Sequence, residues 1–192
     1  MSSRTKILSA LREAKAEKEA LPTLDFRNEG ESALENFVEM AKRSGIEVLD
    51  SKELSLQDLL IELRKTKKIQ TSLANHTNDF PVLLDENDPY NKKNAPDVFI
   101  CKGHFGVAEN AAIWLDDAVL PSRLLAFLPE ELIIILSRER IVADMHQAYQ
   151  IVQERDYTYG LFVAGPSKTA DIEQTLVTGA QGAKSLKVFL MN

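Results

Sequence analysis

Short apolar runs alternate along this chain with stretches of helical period, and that alternation restricts the fold more than any other feature. Residues 97–101, 132–136, 160–165 and 186–191 are apolar and too short for buried helices, so they read as buried strands. Residues 46–49 and 69–73 read as two further short strands. Helical spacing falls between them. Leu34, Phe37, Val38 and Ala41 line one face of 31–43, and Gly45 stands where a C-terminal cap belongs. Leu56, Leu59, Leu60 and Leu63 follow Ser55, with Asp58 completing a short capping pair. Met145, Ala148, Tyr149 and Val152 are expected to point inward from a helix over 143–154. Residues 105–109 and 111–115 read as two successive strands or one bent strand, and another helix is expected from near Thr169. Together these predict an α/β fold with a largely parallel sheet flanked by helices.

The first 30 residues stand apart. Residues 4–20 read as a charged amphipathic helix with Ile7, Leu8, Leu11 and Ala14 on one stripe. Pro22 to Gly30 read as a linker. The expected organisation is therefore an N-terminal helix and linker over 1–30 and an α/β domain over 31–192. The helix is solvated, packed on the main body, or a contact with a second copy in a homo-oligomer. Arg64, Lys65, Lys67 and Lys68 suit the negative end of a helix dipole better than a phosphate patch. Pro81, Pro89 and Pro96 break 75–96 into an irregular loop, long enough to serve as a lid.

Composition excludes several classes. The net charge of −6 disfavours nucleic acid as a partner. One cysteine, Cys101, excludes an internal disulfide and a four-thiolate cluster made by this sequence alone. No run approaches the ~18 apolar residues of a membrane span, and the first residues lack the apolar core of a secretory signal. No membrane insertion and a cytoplasmic location are the expectation. His76, His104 and His146 have no histidine at helical spacing, so no metal pair is expected. The Walker, Gly-x-Ser-x-Gly and Gly-x-Gly-x-x-Gly patterns are missing from the sequence.

Two segments carry candidate chemistry. Gly165, Pro166, Ser167, Lys168, Thr169, Asp171 and Glu173 lie between an apolar strand and the expected helix. A helix start after a strand offers unpaired N–H groups to an anion, and Lys168 adds charge. Asp171 and Glu173 oppose that attraction, and a capped helix start without ligand is the plainer alternative. In the second segment, Glu109 extends the alternation of Phe105 and Val107, so its carboxylate could act as base or nucleophile. His104 and Asn110 flank it as ligand-binding candidates. A structural turn at Glu109 and Asn110 is the alternative. Trp114 and Cys101 read as core.

The two segments HFGVAENAAIWL and GPSKTADIEQTLVTGAQGAKSLKVFL together resemble the LUD-domain family, of the lactate utilization protein C type. The resemblance is strongest from about residue 97 onward. It implies a fold like the sugar-phosphate isomerase and CoA-transferase group, with an N-terminal helical extension. It also implies a role in cytoplasmic L-lactate oxidation to pyruvate alongside iron–sulfur partner proteins. The clusters would sit on those partners, with no cofactor carried by this chain, which would be a companion subunit binding a small anion. Ala108-Glu109-Asn110 also looks like the Ser-Glu-Asn-Gly stretch of CoA transferases, with Ala108 and Ala111 replacing its serine and glycine. That leaves two further readings: an independent enzyme acting on a phosphorylated or CoA-linked acid through Glu109, and a non-catalytic binding or regulatory module.

Overall fold

The most apolar run of the sequence becomes the centre of the fold. The computed structural model describes residues 3–13, 32–73, 95–172 and 175–192. In it, β6 (Glu131–Ser137) lies between β11 (Ser185–Met191) and β3 (Val98–Lys102). β1 (Glu47–Asp50) and β2 (Ile69–Thr71) complete a five-stranded sheet in the order β1-β11-β6-β3-β2. Every neighbouring pair in it is parallel. A parallel strand covered on both faces needs apolar residues throughout, and Leu132, Ile133, Ile134, Ile135 and Leu136 are all buried.

Ile133, Ile135, Ile100 and Phe189 meet Leu59 and Leu60 of α3 (Leu56–Arg64) on one face. The Ser55 hydroxyl caps that helix by accepting the Asp58 N–H at 3.1 Å. On the other face, Phe99, Ile134, Leu136 and Val188 meet Phe37 and Ala41 of α2 (Ala33–Ser44). This helix ends at Gly45, whose φ of 82° only glycine adopts at little cost.

A second sheet shares that larger core. It has the order β7-β4-β5-β8, built from β4 (Phe105–Val107), β5 (Ala112–Asp116), β7 (Ile141–Val142) and β8 (Gly160–Val163). β4 and β5 form an antiparallel hairpin, which settles 105–115 as two strands. Strand alternation splits β5 between two layers. Ile113 and Leu115 enter the larger core, whereas Ala112 and Trp114 pack outward on Ala148 and Val152 of α4 (Met145–Gln153). The layers run from α3 through the parallel sheet to α2 and the second sheet, and then to α4.

Two expectations are corrected. The segment from Thr169 is no helix: β9 (Lys168–Ile172) and β10 (Thr175–Thr178) form an antiparallel hairpin. Thr169, Ile172, Thr175, Val177 and Thr178 are β-branched, a composition that crowds a helix and suits a strand. Tyr149 does not point into the core. It is 54% exposed and lays its ring against the edge of Phe162 at 5.8 Å. α1 (Ser3–Glu13) presents Ile7 and Leu11 largely to solvent. Residues 14–20 of the expected N-terminal helix, the expected linker and residues 75–94 of the expected lid lie outside the described residues. Among the described residues no helix is long and apolar enough to cross a membrane.

Candidate functional site

β3 ends at Lys102, and the chain turns at once into the second sheet. Gly103 makes the turn because a Cβ there would stand 2.7 Å from Ile113 and 2.9 Å from Ile134. His104 follows, at the carboxyl end of a parallel strand, where open α/β sheets collect their ligands. Its backbone N–H donates to the Trp114 carbonyl, which holds the ring beside the end of β5.

There His104 meets Asp116 and Arg155. The His104 Nε2 lies 2.6 Å from Asp116 Oδ1. Arg155 donates to Asp116 Oδ2 from Nε at 3.0 Å and from Nη2 at 2.8 Å. The same Nη2 stands 2.9 Å from His104 Nδ1. Asp116 is 1% exposed, so its charge needs these partners. Burial pushes the Asp116 carboxyl up, but the bonds from Arg155 and His104 outweigh it and hold the group below the usual carboxylate range. An ionised Asp116 makes Nε2 the donor in the short contact. Nδ1 then carries a lone pair and accepts from Arg155. Burial pushes His104 down against the opposing pull of Asp116, and the charges of Arg155 and Arg140 push it further. The ring is therefore neutral at pH 7.

Asp116 offsets one guanidinium, His104 adds nothing, and the charge of Arg140 remains beside them. Arg155 Nη1 makes no hydrogen bond among the described residues. Nearby, Arg138 holds Asp50 across the same carboxyl edge of the sheet. The arrangement can receive a small anion and can hold a proton on Nε2. Among the described residues no three His, Cys, Asp or Glu side chains converge as metal ligands.

The other candidates from the sequence lie elsewhere. Glu109 and Asn110 occupy the β4–β5 turn, separated from His104 by the length of β4. A Glu109 carboxylate oxygen accepts the Met145 N–H at 2.9 Å, at the start of α4. The Asn110 side chain accepts the Ala112 N–H at 3.0 Å. Val163 pairs with Ile113, which sets Gly165 and Pro166 at the same end of the second sheet as that turn. The Ser167 hydroxyl accepts the Gln181 N–H, and its backbone bonds Ala183 and Gly179. The Lys168 amine donates to the Ser44 carbonyl at 2.8 Å, on the negative end of α2. Thr169 donates to the Val177 carbonyl across the hairpin. The backbone of Asp171 belongs to β9, and Glu173 lies outside the described residues. With strand in place of helix from 168, there is no helical first turn there to attract an anion.

Asp116 and Arg155 had no counterpart among the sequence candidates. Arg155 is 39 positions from Asp116 and 51 from His104, so no local spacing joins them. The usable signal was an acidic residue closing the buried run 112–116.

A parallel sheet sharing one core with a second, mixed sheet, and a half-buried His–Asp–Arg cluster at the parallel sheet's carboxyl edge, define a class of α/β protein with one polar end. The chain belongs to the LUD domain family, whose model matches residues 8–191. It is similar to lactate utilization protein C of Anoxybacillus flavithermus, 34% identical over 77 residues, covering 40% of this chain and 35% of that protein. It is also similar to lactate utilization protein C 1 of Bacillus mycoides, 30% identical over 106 residues, covering 52% and 45% respectively. The chain thus spans less than half the length of these relatives in the matched stretch. Among solved structures, a DUF162 family protein from Deinococcus radiodurans shares the fold with a TM-score of 0.57 at 15% identity. That match covers 83% of this chain and 96% of the other.

Proposed function

We propose that this chain is a companion subunit in L-lactate utilization and binds a small carboxylate at the carboxyl edge of its parallel sheet. The relatives' names support the process. The observation that carries the site is the His104–Asp116–Arg155 cluster with Arg140 beside it. Arg140 supplies the unspent charge, and Arg155 Nη1 supplies a directed donor. Neutral His104 keeps its ring proton on Nε2, held by Asp116. Opening the Arg155 contact would free Nδ1 toward a bound hydroxy acid.

In this reading the electrons leave through iron–sulfur partner proteins in the cytoplasm. Cys101 offers no route of its own, because burial pushes its thiol up to about 12. The test is L-lactate oxidation in lysate of a strain deleted for this chain. Oxidation should fall with the deletion and return with added chain. Arg140→Ala should restore it only at roughly tenfold higher lactate, the worth of one charge-assisted bond. Full oxidation without the chain would overturn the proposal.

A further inference from the structure

His104 stands among groups that act on its ring in opposite senses. The side chain is 15% exposed, and its withdrawal from water is the strongest influence against a charge. Asp116, from β5, lies 2.6 Å from Nε2 and favours a charged ring. Arg155, from beyond α4, sets Nη2 at 2.9 Å from Nδ1 and disfavours it. Arg140, from the turn after β6, adds to the effect of Arg155. With the site empty of an anion, burial and the two cations prevail over Asp116.

Nδ1 is the ring position left for a proton, because Nε2 already carries one toward Asp116. Its lone pair is covered by a movable donor. Arg155 aims an N–H at it, and that side chain is 28% exposed. An incoming anion shifts the balance in one direction. A carboxylate drawn to Arg140 and Arg155 offsets the two cations that oppose a charge on the ring. It also competes for Nη2, which opens the contact with Nδ1. Asp116, 1% exposed, stays beneath the ring, so its attraction for an imidazolium persists. The carboxylate in turn gives an Nδ1–H its acceptor.

We infer that the site takes up its carboxylate together with one proton from solvent, placed on His104 Nδ1. The inference rests on the reading of this cluster as a carboxylate site. One N–H bond forms on the ring, no bond of the acid breaks, and nothing is oxidised or reduced. The charges of anion and proton cancel, so the complex keeps the net charge of the free site. Linkage then fixes the pH dependence. The free ring titrates below the ordinary 6.5 and the occupied ring holds its proton to higher pH, so affinity falls as pH rises between those limits. Where uptake is complete, Kd should rise about tenfold per pH unit.

Calorimetric titration of the full chain with L-lactate at about pH 7, in imidazole and in Tris, tests this. A proton taken by the protein is surrendered by the buffer. Binding should therefore be less exothermic in Tris, whose ionisation absorbs more heat. His104→Gln keeps an amide to face Asp116 but has no place for a proton. It should bind with the same heat in both buffers and with a Kd that is flat in pH. The wild type alone supplies a second readout. Its ring-nitrogen spectra should show one neutral histidine becoming charged as L-lactate is added. L-lactate that changes neither heat nor spectra at any concentration would overturn the carboxylate site, and the inference with it. Binding with equal heats in both buffers, proton uptake that survives in folded His104→Gln, or histidines that all stay neutral would overturn the inference and leave the carboxylate site standing.

Discussion

At the scale of single residues, the fold spends one buried carboxylate to tie a helix end to a sheet. Asp116 closes β5, and Arg155 reaches it from just beyond α4. Asp116→Ala leaves Arg155 and His104 without their acceptor. The cost should be about 2 to 3 kcal/mol in urea unfolding, below the usual ~3–5 for a fully buried pair because Arg155 keeps part of its surface in water. His104 predicts a pH effect of definite sign. Its native pKa is lowered from the ordinary 6.5, so between the two values the unfolded chain binds more protons than the folded one. Stability should hold above pH 6.5 and fall as the pH drops toward the native pKa. His104→Gln should flatten the curve of urea midpoint against pH through that window. A wild-type midpoint that rises on acidification there would contradict the assignment. Gly160 is constrained by packing alone. A Cβ there would stand 2.2 Å from the Trp114 ring, so Gly160→Ala should cost about 1 to 3 kcal/mol by overpacking. His104 was accessible to sequence reading because it stands between glycines at a strand end. Its partners were not, because a charge at the end of an apolar run reveals nothing about which distant element will reach it.

At the scale of elements, two helix ends were legible from their caps, and one cap-like pattern misled. Ser55 and Gly45 stand at the helix ends where their spacing placed them, because each meets a local backbone need independent of the rest of the fold. Ser55→Ala should remove the acceptor for Asp58 N–H and cost about 1 kcal/mol of thermal or urea stability. Residues 168–178 show the opposite case. Gly165-Pro166-Ser167 before acidic residues looks like a helix start, yet the residues that follow favour a strand. The tie to α2 also decides it. Lys168 reaches Ser44, and Ser167 pairs with 179–183, contacts that hold the segment extended. Ser44 stands 124 positions from Lys168 in the sequence, so no window around Thr169 contains it.

At the scale of the whole molecule, the two sheets could be independent units or one, and the core decides between these. The second sheet buries Ile113 and Leu115 in the same cluster as Phe99, Ile134 and Val188 of the parallel sheet, with Phe37 of α2 between them. Gly106 lies so close to Phe37 and Leu136 that a Cβ there would stand 2.9 Å from each. Neither sheet can leave without exposing the other's inner face, and apolar burial shared in this way couples their unfolding. The sequence helps to test it. Trp114 is the sole tryptophan and sits on the second sheet, packed against Phe162 and Tyr157. Its fluorescence reports that sheet, whereas far-ultraviolet dichroism is dominated by the parallel sheet and its helices. Urea titrations followed by the two signals should coincide in midpoint and slope. A tryptophan transition that precedes the dichroism would mean that the second sheet, with its histidine cluster, can detach while the parallel sheet persists. The chain would then carry its polar site on a part that opens separately from its main core.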